Sequence, residues 1–147
     1  MTTAGGEDLQ HRMKWYQATA LFSIFFAVVG FSYNVWRMEI TEHNSNVREA
    51  SFETLLQLAE LEQLVFAAHY DQDPVAGNPR NGWVKVGLIA DLSVSCSSPV
   101  RIAAEKLRGV WSISWSKLPT DRMAAEGVVA AIDHVRSEVL DGLKMLD

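Results

Sequence analysis

Hydrophobic and polar positions divide this chain into an apolar N-terminal segment and a patterned remainder. From Trp15 to Trp36 about twenty residues pass without a charged side chain, and tryptophan or tyrosine stands at both ends. At about 1.5 Å per helical residue this segment spans roughly 30 Å, the thickness of a bilayer's hydrocarbon core. Aromatic residues at both ends, flanked by Lys14 and Arg37, are typical of an uncleaved membrane span. The sequence therefore predicts a transmembrane helix.

A cleaved signal peptide and a buried core helix are the two rival interpretations of the apolar segment. A signal peptide ends in small residues of the Ala-x-Ala kind, but here Ala18 and Ala20 precede the apolar core. Buried core helices are usually shorter and are interrupted by polar residues on one side. The predicted organisation is a short polar cytoplasmic tail (residues 1–14), the transmembrane helix (15–36), a helical stalk (37–50) and a soluble helical domain (51–147).

The orientation of the span is less strongly marked. Arg12 and Lys14 precede it while Arg37 and Arg48 follow, so positive charge is nearly balanced across it. A short leader before an uncleaved first span behaves as a signal anchor, and a long downstream domain is translocated regardless of its charge. The general outline resembles bacterial inner-membrane proteins with one N-terminal anchor. We therefore expect the C-terminal domain in the periplasm.

One face of the span carries only small or polar residues. They recur at a 3-4-3-4 spacing, which places them along one side of a helix. This small-residue stripe consists of Ala20, Ser23, Ala27, Gly30 and Asn34. Small residues allow a second helix to approach closely, and hydroxyl or amide groups can hydrogen-bond across such a contact. The stripe predicts a helix partner in the bilayer, either a second copy or another subunit.

Helical periodicity returns at Ser51 and dominates the rest of the chain. The segment that follows has one apolar side that includes Phe52 and Phe66 and another that includes Leu58 and Val65, so we expect it to be covered on more than one side. A cluster rich in proline, glycine and asparagine at residues 71–82 predicts a loop. Residues 83–95 are compatible with a strand or a helix, and helix is favoured after an Asn81 cap, because the chain offers no partner strand.

Two further helices follow. Ser98 with Pro99 is a start signal, serine as the N-cap and proline at the first helical position. Pro119 is expected to end that helix, and Thr120 to cap the last one. The predicted fold is all-α, with a single N-terminal transmembrane helix before a small antiparallel bundle of three to four helices.

Charge and cysteine content exclude some functions. The net charge is −5, and residues 1–36 contribute nothing to it. Because phosphate binding needs a basic patch, nucleic acid is not an expected partner. Cys96 has no second cysteine to pair with in the chain, so it says little about the compartment.

Candidate chemistry is sparse. His69, Asp71 and Asp73 are the densest group of metal-ligand types, but they lack the spacing of a known metal loop and fit a turn better. The chain has no Walker loop, dinucleotide fingerprint, HExxH motif or paired CxxC motif. We expect no metal, no cofactor and no enzymatic activity.

Three tryptophans offer the alternative of a ligand pocket. Trp111 and Trp115 are one helical turn apart, and Trp83 can join them. Such residues form a core more often than a pocket in a small domain. The leading hypothesis is therefore an accessory or regulatory subunit that acts through protein contacts. The alternatives are a ligand-sensing module with a pocket at these tryptophans, and a homo-oligomeric stalk protein.

Overall fold

Four α-helices account for most of residues 4–146. The computed structural model describes the backbone of residues 4–146 and the side chains of residues 13–146, so part of the predicted tail and Asp147 lie outside the described residues. The helices are α1 (Ala4–His69), α2 (Pro79–Ser93), α3 (Ser98–Ser114) and α4 (Arg122–Lys144). Residues 4–146 contain no strand. The all-helical prediction is confirmed, and residues 83–93 are helix rather than strand.

The long helix α1 belongs to two compact units. The first unit ends at His43 and the second begins at Asn44. Helical backbone continues through the predicted stalk, residues 37–50, which contains no proline or glycine to interrupt it. The side chains of residues 13–43 are exposed. The second unit contains the hydrophobic core.

Apolar side chains from all four helices form that core. Their spacing of three and four residues along each helix places them on one side, where burial removes apolar area from water. From α1 the largest are Leu58, Leu61 and Val65, while Trp111 of α3 is the largest fully buried side chain. Val128, Ile132, Val135 and Val139 of α4 are buried as the 4-3-4 spacing predicts. This core packs together the helices that carry the surfaces described below.

Contacts between distant residues fix which ends of the helices meet. At one end of the second unit, Ser51 Oγ lies 3.7 Å from Cys96 Sγ in the turn between α2 and α3. Arg48 of α1 donates to the Leu146 carbonyl, just after α4. This end of the second unit therefore contains the first part of its α1 segment, the α2–α3 turn and the end of α4. We call it the Ser51 end.

The opposite end is held by His69 and Gln72. Nδ1 of His69 lies 2.7 Å from the Leu118 carbonyl oxygen, which can only accept, so this ring nitrogen carries the proton. Gln72 has a left-handed backbone with φ of 54° and ends α1. Its amide donates to the carbonyls of His69 and Pro119, at 2.6 and 2.9 Å. One side chain thus caps α1 and ties it to the connection before α4.

Two ion pairs join α1 to its neighbours. Glu62 accepts from Arg136 of α4 at 2.6 Å, and Glu60 pairs with Lys85 of α2. Both pairs are partly exposed, so each contributes about 1 kcal/mol or less. Their contribution lies mainly in register, because they connect three helices at mid-length.

The start of α2 differs from the prediction. Asn78, not Asn81, is the N-cap, and its side chain accepts from Arg80 N at 3.0 Å. Pro79 then occupies the first helical position, where a missing N–H costs nothing. The helix therefore begins inside the segment predicted to be a loop, because proline in this position starts a helix rather than breaking it.

The caps of α3 and α4 each lie one residue from the predicted position. Ser97 rather than Ser98 precedes α3, and its side chain makes no capping hydrogen bond. Asp121 rather than Thr120 caps α4, with its carboxylate accepting from the N–H groups of Met123 and Ala124. A carboxylate also interacts favourably with the helix dipole, which explains why it takes the cap.

Candidate functional site

The apolar segment of α1 is the first candidate surface. By length and composition, α1 is the one helix within the described residues that is able to cross a membrane, and none of its apolar window is buried. Aromatic side chains are exposed at both ends of this window, with Trp15 and Tyr16 at 69% and 77% and Tyr33 and Trp36 at 57% and 59%. Such exposure of large apolar side chains calls for a non-aqueous neighbour.

The small-residue stripe lies along this exposed segment. All of its residues, Ala20, Ser23, Ala27, Gly30 and Asn34, are exposed. A Cβ added at Gly30 would meet nothing within 4 Å, so the protein leaves room there for another helix backbone. Ser23 Oγ donates to the Thr19 carbonyl at 2.9 Å, which leaves its lone pairs to accept from a partner. The side-chain amide of Asn34 makes no hydrogen bond within residues 13–146.

The structure brings two of the three predicted tryptophans together. Trp83 of α2 meets Trp111 of α3 edge to face, with ring centroids 6.5 Å apart. Trp111 has no exposed surface, whereas Trp83 and Trp115 are 40% and 37% exposed. Trp115 comes directly after α3, one turn beyond Trp111, and its backbone N–H donates to the Trp111 carbonyl. Trp111 is therefore a core residue, and the other two lie at the surface.

Close packing at Trp111 depends on Gly82. A Cβ added at Gly82 would lie 2.1 Å from Cζ2 of the Trp111 ring, so only glycine lets α2 approach here. The indole Nε1 of Trp111 is buried and has no hydrogen-bond partner within the described structure. An unpaired buried N–H costs about 1–3 kcal/mol, which the packing of this large ring has to offset.

The predicted metal-ligand types serve local structure. His69 is engaged with Leu118 as described above, and Asp73 accepts from the N–H groups of Val75 and Ala76 at 2.7 and 3.1 Å. These hydrogen bonds, from Ala76 and then Val75, hold the pKa of the Asp73 carboxyl below its ordinary value of 3.8. Over the described residues, no three histidine, cysteine, aspartate or glutamate side chains are grouped to hold a metal. Asp73 is a turn residue, as expected.

Two further surfaces lie at the Ser51 end. The first, the α1 face, consists of Glu49, Phe52, Glu53 and Leu56 and borders an open groove of about 800 Å³. Phe52 and Leu56 are 61% and 51% exposed. The prediction that α1 is covered on more than one side is therefore not met within the second unit, where this side of the helix is open. The core takes only the other side of this helix.

The second surface, the α3 face, consists of Val94, Arg101, Ile102 and Lys106. It borders an open groove of about 450 Å³ between α2 and α3. Val94 and Ile102 are 68% and 56% exposed. Val94 and Ile102 belong to different elements, and only the turn between α2 and α3 places them beside the same groove.

Comparisons with family models, with curated proteins and with solved structures found no match to this chain. The surfaces themselves are therefore the basis for a functional proposal.

Proposed function

We propose that this chain is a membrane-anchored accessory or regulatory subunit that acts through protein–protein contacts and not as an enzyme. In this proposal residues 15–36 cross a bacterial inner membrane, and residues 51–147 fold as a small antiparallel helical bundle. Two contacts support the antiparallel order. The Ser51–Cys96 contact places the first part of α1 in the second unit beside the end of α2, and the His69–Leu118 contact places the end of α1 beside the connection before α4. The apolar, unburied window of α1 supports the span.

One observation carries the proposal: a stripe of small residues lies open on a helix able to span a membrane. Helices associate in lipid through close backbone approach and interhelical hydrogen bonds. Gly30 supplies the open backbone, and Asn34 and Ser23 supply polar groups. The partner helix belongs to a larger membrane complex or to a second copy.

Co-purification in mild detergent tests this proposal. Ala27→Leu with Gly30→Leu fills the stripe, while Phe25→Leu with Val29→Leu changes apolar side chains that lie off it. We expect wild type and the off-stripe variant to retain a discrete partner, and the stripe variant to lose it. If wild type is monomeric and brings no partner, or if both variants behave alike, the proposal fails.

The side of the membrane requires a separate measurement. We propose a cytoplasmic N-terminal tail and a periplasmic domain, since a long domain is translocated regardless of its charge. A C-terminal alkaline phosphatase fusion is expected to be active, because this enzyme folds only in the periplasm. A green fluorescent protein fusion is expected to be dark, because this protein does not become fluorescent after export. The reverse pattern would place the domain in the cytoplasm.

The ligand-binding alternative is favoured by the unpaired Nε1 of Trp111 beside the exposed edge of Trp83. A small acceptor ligand could satisfy this donor only by opening the contact between α2 and α3, since Trp111 is fully buried. We therefore rank it second. A ligand-dependent change of tryptophan fluorescence that disappears in Trp111→Phe would reverse this ranking.

A further inference from the structure

The α1 face and the α3 face carry opposite unpaired charges. On the α1 face, Glu49 and Glu53 are in no ion pair in the described residues, although Glu53 accepts from Gln57. On the α3 face, Arg101 and Lys106 are likewise in no ion pair. By contrast, the Lys85, Arg122, Arg136 and Lys144 side chains all contact carboxylates. The two faces therefore present unpaired charges of opposite sign.

Each groove also contains one charge of the other sign. Arg48 lines the groove beside the α1 face and donates to the Leu146 carbonyl. Glu105 lines the groove beside the α3 face. The α1 groove keeps an excess of one negative charge, two glutamates against one arginine, and the α3 groove an excess of one positive charge. Apolar side chains lie among these charges in both.

The two faces lie at the same level of the second unit. Phe52 and Leu56 are within about two helical turns of Ser51, and Val94 and Arg101 flank the turn that contains Cys96. Two copies placed side by side in the same direction can therefore bring the α1 face of one against the α3 face of the other.

We propose that the α1 face of one copy binds the α3 face of a second copy, with Phe52 and Leu56 against Val94 and Ile102. Glu49 and Glu53 then lie opposite Arg101 and Lys106 of the second copy. The contact is heterologous, so each copy in a pair keeps one free face. Addition of further copies then gives a closed ring or an open array. This inference uses the second unit alone and does not rest on the intramembrane partner proposed above.

Charge exchange between the faces tests the inference in the full-length protein. Variant A carries Arg101→Glu and Lys106→Glu; variant B carries Glu49→Lys and Glu53→Lys. Each variant alone places like charges across the contact, so its self-association constant should fall on the order of tenfold or more. Mixed in equal amounts, A and B offer opposite charges at both types of junction. The mixture should therefore recover oligomers of even copy number.

The measurement is mass photometry or analytical ultracentrifugation in mild detergent, with excess micelles to prevent chance co-occupancy. Arg80→Glu with Lys117→Glu is the matched control, since it makes the same net change in charge at positions outside both faces and should associate like wild type. Circular dichroism of every variant checks that the helices remain folded.

Recovery in the mixture is the decisive result. The inference is overturned if wild type stays monomeric over the accessible concentrations, if A and B associate like wild type, or if the mixture does not recover. The stripe variant Ala27→Leu with Gly30→Leu should not alter the exchange, which separates this test from that of the proposed function.

Discussion

The contact between Gly82 and Trp111 makes the sharpest prediction about the fold. An alanine Cβ at position 82 would lie 2.1 Å from Cζ2 and 2.2 Å from Cη2 of the ring. Carbon atoms in good contact are about 3.5–4.0 Å apart, so the ring or α2 must move by roughly 1 Å or more. Trp111 is completely buried, and its indole therefore has no solvent-facing direction in which to retreat.

We expect Gly82→Ala to lower the free energy of unfolding. Overpacking a core costs about 1–3 kcal/mol, and an overlap of this size belongs at the upper end. Replacing glycine by alanine in a helix gains about 1 kcal/mol. The net loss is about 1–2 kcal/mol, which lowers Tm by at least about 4 °C in a domain of this size.

Gly87 provides a matched control in the same helix. A Cβ there would meet nothing within 4 Å, so Gly87→Ala should keep the helix-propensity gain and raise Tm slightly. Thermal unfolding of the full-length protein, followed by near-ultraviolet circular dichroism, measures both. Trp111→Phe should relieve part of the Gly82→Ala loss, because phenylalanine lacks the overlapping part of the ring. The reasoning is refuted if both alanine variants change Tm equally, or if the double variant shows no coupling.

Three further predictions concern the loops and the α1–α4 contact. Because the folded-state pKa of its carboxyl is depressed, Asp73 stabilises the fold above its ordinary pKa of 3.8, and this stabilisation is lost as pH falls through the lower folded-state value. The free energy of unfolding of Asp73→Asn should therefore fall less steeply with decreasing pH than that of wild type, and an unchanged slope would contradict this. Gln72→Ala should destabilise more than Gln72→Gly, since only glycine relieves the left-handed backbone at φ of 54°; the opposite order in chemical denaturation would argue against the strain. A double-mutant cycle of Glu62→Gln and Arg136→Met should give a coupling of about 1 kcal/mol or less, and a value several times larger would mean a stronger pair than its partial exposure allows.

The helices were predictable from periodicity, whereas several of their boundaries were not. The end of α3 is one example, since the helix ends at Ser114 and not at Pro119. The loop signal at residues 71–82 came from prolines and glycines, but Pro79 begins α2 because Asn78 satisfies the next N–H group. In the same way Asp121 outcompetes Thr120 by accepting from two N–H groups. A one-residue choice between neighbouring caps depends on backbone angles that composition does not specify.

The surfaces were predictable only in part. The small-residue stripe follows directly from helical spacing, since its residues lie on one helix. The α3 face could not be found in this way, because Val94 and Ile102 lie on different elements that only the α2–α3 turn brings together. The exposure of Phe52 was unexpected for another reason. Sequence periodicity marks apolar sides but does not say whether this chain or a partner covers them.

The role of Gln72 was also absent from the sequence analysis. No motif marks a glutamine whose backbone ends a helix while its side chain reaches the carbonyls of His69 and Pro119. The second of these contacts joins positions 47 residues apart, so it exists only once α1, α3 and α4 are packed. Local pattern cannot report such a residue.

Photo-crosslinking inside the membrane tests the central claim most directly. A photoreactive amino acid placed at Ala27 or Gly30 lies on the small-residue stripe, and one at Phe25 or Val29 lies off it. We expect a discrete protein adduct from the stripe positions in intact cells and only lipid adducts from the other two. Lipid adducts alone at all four positions would contradict an intramembrane partner, and with it the function proposed for this protein.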